Sequence, residues 1–173
     1  MRQLAILVAA AGLLAAVYVG PHLGRHSAHQ AKSSAALAPR VTAVDLEGNS
    51  IDTKAYAGKV VLINFWAAWC KPCAEEIPQF VALQEKYRGQ GLQLIGISMD
   101  DQEQALRDFY RKHRMNYPVI AGSDKIAQEY GGVLGLPTTF LIGRHGRIRA
   151  KYAGSADFPK LEQKIVRLLQ GDD

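Results

Sequence analysis

Val60-Val61-Leu62-Ile63-Asn64-Phe65-Trp66-Ala67-Ala68-Trp69-Cys70-Lys71-Pro72-Cys73 is the stretch on which the reading of this 173-residue sequence turns. Its first seven residues are a short apolar run rich in β-branched side chains, the pattern of a strand buried on both faces. A helix is predicted to follow over about 73–88, with Ile77, Val81 and Leu83 among its apolar positions. Pro78 is expected to kink it, because proline removes a backbone donor inside the helix. The chain's two cysteines, Cys70 and Cys73, therefore sit where a buried strand gives way to a helix N-terminus.

Three effects converge on Cys70. Unpaired backbone N–H groups and the positive helix end stabilise an anion there. Lys71 adds a nearby positive charge, and Pro72 suits the first helical turn, where no donor is lost. A thiol with a pKa near 8.5 is only about 3% thiolate at pH 7, whereas a shift to about 7 makes it half thiolate. An exposed Cys70 would then be a nucleophile toward disulfides, and Cys73, on the same helical side, could close an intramolecular disulfide after a mixed disulfide forms. A mere staple is a poor alternative, since a four-residue loop contributes only about 2 kcal/mol. A zinc site would need two more ligands, and His113 and His145 are isolated in sequence. The pair reads as a redox couple.

Outward from this stretch the pattern is mixed α/β. Residues 41–46 and the segment around Ile51 flank Glu47-Gly48-Asn49, a hairpin signal. Residues 92–99 read as a second buried strand, and 102–113 as an amphipathic helix with Ala105, Leu106, Phe109 and Tyr110 on one side. A strand is predicted over 117–120 and a short helix over 124–130, capped by Asp124 and closed by Gly131-Gly132. Residues 138–142 and 147–152 form a hairpin around Gly143-Arg144-His145-Gly146, and an amphipathic helix over 159–169 ends the chain. Strands alternating with helices imply an α/β domain with a central sheet covered on both faces.

The N-terminus differs. Residues 4–20 are uncharged and almost wholly apolar, behind Met1-Arg2-Gln3. As a helix they would reach about 26 Å, against a bilayer core about 30 Å thick. The A-x-A pattern Ala36-Leu37-Ala38 lies far downstream, so residues 1–24 are expected to be an uncleaved anchor rather than a cleaved signal. Arg2 favours a cytoplasmic N-terminus with the domain outside. Residues 25–39 read as a flexible linker, and His22, His26 and His29 as part of a solvated tether rather than a metal site. Residues 40–173 are the domain. The formal charge of +5 does not imply nucleic-acid binding, because residues 1–38 hold three bases and no acid, leaving 18 bases against 16 acids in the remainder.

Asn64 to Cys73, followed by Glu76-Ile77-Pro78, resembles the thioredoxin superfamily. Within it the chain is similar to the membrane-tethered TlpA/ResA branch of extracytoplasmic thiol–disulfide oxidoreductases, a likeness extended by the early hairpin and by Gly135-Leu136-Pro137-Thr138-Thr139-Phe140. The resemblance covers about residues 41–169. It implies a thioredoxin fold with an N-terminal β-hairpin extension and a helix–strand insert over 100–120, preceded by the hydrophobic N-terminal helix. It implies Cys70 as the attacking and Cys73 as the resolving cysteine, Trp69, Lys71 and Pro72 as the motif around them, and Pro137 as a cis proline facing the motif. The Leu136 backbone would pair with an extended substrate segment. Glu76 would manage the proton of Cys73, a task plain thioredoxins give to an aspartate at the position of Asn64, which cannot accept a proton. No cofactor and no metal is implied.

The partners implied are disulfide-containing exported proteins, cytochrome c apoproteins among them, and a membrane thiol electron donor, with work done in the reductive direction at the outer side of the bacterial cytoplasmic membrane. Two rivals are a thiol peroxidase and a copper-binding chaperone. The first would place a threonine where this chain has Ala67, and the second would space its cysteines wider and add a matched histidine.

Overall fold

The computed structural model describes residues 35–100 and 102–172. The apolar segment 4–20 lies outside them, as does most of the expected linker. Among the described residues no helix is long and apolar enough to cross a membrane.

The element order is β1 (Thr42–Val44), β2 (Ser50–Asp52), β3 (Val60–Trp66), α1 (Lys71–Tyr87), β4 (Leu92–Ser98), α2 (Glu103–Lys112), β5 (Val119–Ala121), α3 (Asp124–Glu129), β6 (Thr138–Ile142), β7 (Ile148–Ala153) and α4 (Phe158–Leu169). Five strands form one sheet in the order β5-β4-β3-β6-β7, while β1 and β2 pair separately. β4 runs parallel to both β3 and β5, and β6 antiparallel to both β3 and β7. All seven residues of β3 are buried, as a central strand covered on both faces requires.

Alternation along β3 divides the core. Leu62 and Trp66 pack with Ile77 and Phe80 of α1 and with Leu161 and Ile165 of α4. Val61, Ile63 and Phe65 belong to a second cluster with Ile95, Phe140 and Tyr130. The early hairpin closes on Asp45, whose carboxylate accepts from the amides of Glu47 (3.0 Å) and Asn49 (2.7 Å). It joins the main sheet through the Leu46 amide, which donates to the Val119 carbonyl at 2.9 Å. Arg107 of α2 donates to the Leu46 carbonyl from the other side. The helix–strand pair α2–β5 is thereby tied to the hairpin.

Several boundaries differ from the sequence reading, each for a local reason. α1 begins at Lys71 rather than Cys73, because the Cys70 sulfur accepts the Cys73 amide and serves as the cap. The helix continues through Pro78, which is exposed. Ser123, not Asp124, caps α3, its hydroxyl accepting from the Ile126 amide at 3.3 Å. Ala105 is exposed on α2, whereas Leu106 is buried. The third strand of the α/β run begins at Val119, since Tyr117 and Pro118 precede the paired segment. Residues 35–39, the end of the expected linker, are bonded to the hairpin of β6 and β7: Ala38 donates to Gly146 (2.8 Å) and Ile148 to Ala36 (2.9 Å).

Candidate active site

The site is built at the end of β3 where the strand runs out into a helix. Ala67 to Trp69 form the turn. The Cys70 amide donates to the Ala67 carbonyl at 3.1 Å, and the Met99 amide ties the neighbouring strand end to the Trp66 carbonyl at 2.8 Å. Asp100, just past the end of β4, accepts the Ala68 amide at 2.8 and 3.1 Å and the Ser98 hydroxyl at 2.7 Å. The sequence reading did not single out Asp100. Its position beyond the carboxyl end of a central strand is where α/β folds gather their working loops, and that was the available signal.

Cys70 and Cys73 are joined as a disulfide with Cα atoms 5.3 Å apart. The Cys70 sulfur accepts the Cys73 amide at 3.3 Å, so the attacking sulfur is held where the first helical donors converge. Lys71 and Pro72 are exposed, and Trp69 is 72% exposed beside them. The expectation of an exposed Cys70 is corrected for this disulfide form: Cys70 is 5% exposed and Cys73 1%. The two sulfurs cover each other, and Leu136 packs against the cluster that contains them. Of the two, Cys70 keeps the greater exposure.

The Leu136–Pro137 peptide is cis. The register pairs Thr138 with Phe65, which places Pro137 at the same sheet end as Trp66 and the motif that follows it. The Thr138 hydroxyl donates to Gly135 at 2.7 Å, and the Gly154 amide donates to the Pro137 carbonyl at 2.9 Å, fixing the turn from both sides. Leu136 is half-buried, while Leu134 nearby is fully exposed. Trp69, Leu134 and Leu136 thus leave apolar surface open at this end of the sheet.

Glu76 and Glu75 separate cleanly. Glu75 is exposed, as a first-turn acid on a helix ordinarily is, whereas Glu76 is 4% exposed. Its Oε1 accepts the Ala156 amide at 2.6 Å, and its Oε2 has no hydrogen-bond partner. Burial pushes the Glu76 carboxyl above the ordinary carboxylate range, with the Ala156 amide pulling it part of the way back. A buried acid with a free oxygen on the same helix as Cys73 keeps its proton to higher pH than an exposed carboxyl, which suits a group that exchanges protons with its surroundings. Asn64 cannot share that task. It is buried, and its Nδ2 donates to Thr139 Oγ1 at 3.0 Å, across the pair that register sets opposite it.

The chain is similar to proteins already known. The AhpC/TSA family model matches residues 35–151. The thiol-disulfide oxidoreductase ResA of Bacillus thuringiensis subsp. konkukian is 35% identical over 132 residues, covering 76% of this chain and 76% of that protein. A ResA of Bacillus cereus is 38% identical with the same coverage. The crystal structure of a thioredoxin-family thiol:disulfide interchange protein from Chlorobium tepidum TLS superposes with a TM-score of 0.75 at 25% identity, covering 80% of this chain and 99% of that one. The five-stranded sheet and its helices are a thioredoxin-like fold.

Proposed function

The chain belongs to the AhpC/TSA family of the thioredoxin superfamily and is a thiol–disulfide oxidoreductase of the ResA kind, and from that premise we propose that it reduces disulfides in exported proteins outside the bacterial cytoplasmic membrane. The observation that carries the reading is the Cys70–Cys73 pair at the N-cap of α1, with a buried, protonatable Glu76 on the same helix.

In the reduced enzyme the Cys70 thiolate attacks one sulfur of a substrate disulfide. A Cys70–substrate bond forms, the substrate S–S bond breaks, and the departing substrate thiolate takes up a proton. Cys73 then loses its proton toward Glu76 and attacks the Cys70 sulfur. The second substrate thiol is released and the enzyme disulfide closes, so two electrons have passed to the substrate. A dithiol donor in the membrane returns the enzyme to its reduced form by the same exchange in reverse. The apolar surface around Trp69, Leu134 and Leu136 suits an extended, unfolded segment, as an apoprotein of cytochrome c would present before haem attachment. Residues 1–24 would hold the domain at the membrane as a single-pass anchor, with a soluble form after cleavage as the alternative.

The test is substrate trapping. In Cys73→Ala the mixed disulfide at Cys70 cannot be resolved, so exported partners accumulate as covalent adducts that dithiothreitol releases. Adducts made of cytochrome c apoproteins support the substrate class, and adducts confined to other exported proteins overturn it. A reduction potential of the Cys70–Cys73 pair near that of strong oxidants would overturn the reductive direction. A peroxide assay is expected to show no turnover, since Ala67, buried three residues before Cys70, offers no hydroxyl to a peroxide.

A further inference from the structure

The far end of β3, away from the cysteines, opens onto a cavity of about 380 Å³. It arises because the two faces of the sheet are unequally covered. α1 and α4, of 17 and 12 residues, cover one face. The other receives α3, of six residues, the segment 35–40 and a 3-10 turn over Thr53–Tyr56. Val61, Ile63 and Ile142 line the gap together with Tyr56 and Tyr130. The volume falls within the range of about 300–1,000 Å³ in which small molecules are bound.

The lining holds no carboxylate, and most of its polar groups are already committed. The Thr53 hydroxyl accepts the Val41 amide at 2.9 Å, and the Tyr130 hydroxyl donates to the Pro39 carbonyl at 3.1 Å. Arg144 spends its guanidinium on the carbonyls of Gly58 (2.7 Å), Leu168 (3.2 Å) and Leu169 (2.8 Å). Arg40 is paired with Asp52, just outside the lining, at 2.6 Å. The lysines of the lining are Lys54 and Lys59, both exposed, the first close enough to Asp52 to act on its carboxylate and the second with its ammonium 5.5 Å from the centre of the Tyr56 ring. A sugar, a nucleotide or a peptide backbone would need converging donors and acceptors, and those are spent. An apolar floor with two exposed lysines in its lining fits a ligand with a hydrocarbon body and one anionic head.

We propose that this cavity binds a medium-chain fatty-acid carboxylate, with its chain on Val61, Ile63 and Ile142 and its head at Lys54 and Lys59. The site is separate from the redox pair and independent of the substrate reading above.

The test uses the full chain in phosphatidylcholine nanodiscs, with ¹³C-labelled methyl groups followed by NMR. Decanoate, decanol and decyltrimethylammonium are titrated as probes that differ only in the head. Decanoate is expected to shift the Val61, Ile63 and Ile142 methyls saturably, decanol to bind at least tenfold more weakly, and the cation to leave them unmoved. Replacing Lys54→Gln and Lys59→Gln together should erase the preference for decanoate over decanol while Cys70–Cys73 exchange with dithiothreitol keeps its rate. Both lysines are exposed, so the fold should tolerate the change. Equal shifts from all three probes, no saturable shift, or a preference that survives the double substitution would overturn the proposal. So would shifts produced by phosphatidylglycerol in the disc and not by decanoate, which would reassign the site to membrane lipid.

Discussion

At the Trp66 end of β3 a carboxyl group is buried with one oxygen unbonded, and a disulfide occupies the first turn of a helix. At the Val61 end the floor is apolar, the lining hydrogen-bonding groups described above are satisfied, and charge stays on the exposed Arg40, Lys54 and Lys59 and on the half-buried Arg144, whose guanidinium is bonded to carbonyls. One strand therefore separates two kinds of surface. Where chemistry is done, polar groups are left unpartnered inside the protein, at a cost in stability. Where only binding is proposed, selectivity comes from shape and from cations at the rim. An unsatisfied buried group is the better marker of reactivity, because folding alone selects against it.

The contrast is tested most severely by removing the sulfurs. Cys70→Ser or Cys73→Ser should reduce catalytic turnover at least about a thousandfold, because Cys70 makes the mixed disulfide and Cys73 resolves it, so a full cycle needs both thiols. Insulin reduction followed by turbidity measures the loss. Lys54→Gln/Lys59→Gln should leave the same assay unchanged. Equal losses in both would mean that the two ends are coupled and would break the comparison.

The polar scaffold comes next. Asp100→Ala strands the Ala68 amide and the Ser98 hydroxyl, and hydrogen bonds to a charged group contribute about 1.5–3 kcal/mol each. Urea denaturation of the oxidised protein should show a loss of about 2–3 kcal/mol. Thr53→Val at the other end removes one neutral acceptor from the Val41 amide and should cost about 1 kcal/mol. A larger loss at Thr53 than at Asp100 would reverse the ranking of the two ends.

The acids at the two ends should titrate with opposite effects. Burial raises Glu76, so between its unfolded value and its raised folded value the native state binds the extra proton, and stability falls as pH rises through that window. Glu76→Gln should therefore stabilise the protein above that window, with the gain fading as pH falls through it and gone below the ordinary carboxylate range. It should also shift the pH dependence of Cys73 alkylation in the reduced enzyme, and an unchanged curve would remove Glu76 from the proton transfer. Asp52 is held at about 2 by the hydrogen bond from Arg40, so its contribution is present above the usual 3.8 and is lost as pH falls toward 2. Asp52→Asn should flatten stability only in that acid range.

How far the sequence foretold these two ends follows from what each depends on. The strand, the helix after it and the cysteines at their junction were legible, because periodicity and the pair at one boundary are local signals. Cys70 as a cap was not, since a sulfur that accepts an amide moves the helix start two residues forward without any change in apolar pattern. Glu75 and Glu76 are adjacent identical residues, and resemblance favoured the second. Only the packing of Ala156 over α1 shows that Glu76 is the buried one. Asp100 was missed because its partners, Ala68 and Ser98, come together through strand order rather than through spacing. The cavity was out of reach altogether, for it is a space left between α3, the 35–40 segment and the 3-10 turn, and a gap between elements leaves no residue pattern.

Tyr117 carries the smallest and most delicate of these effects. It is buried, its hydroxyl has no hydrogen-bond partner, and Trp66 Nε1 shares that condition. The two rings approach each other over Gly96, where an added Cβ would meet Trp66 Nε1 at 2.9 Å and Tyr117 Cε2 at 3.5 Å, so no larger residue fits between them. If the hydroxyl is only a burden on packing, Tyr117→Phe removes a desolvated polar group at little cost in volume. Stability should then rise by up to about 1 kcal/mol in urea, with no change in the pH curve of Cys73 alkylation. A destabilised variant whose alkylation curve moves in the same direction as that of Glu76→Gln would instead tie the hydroxyl to the Glu76 carboxyl. The reactive end of β3 would then extend across the core to α2 and β5, and the line between the two ends would have to be redrawn.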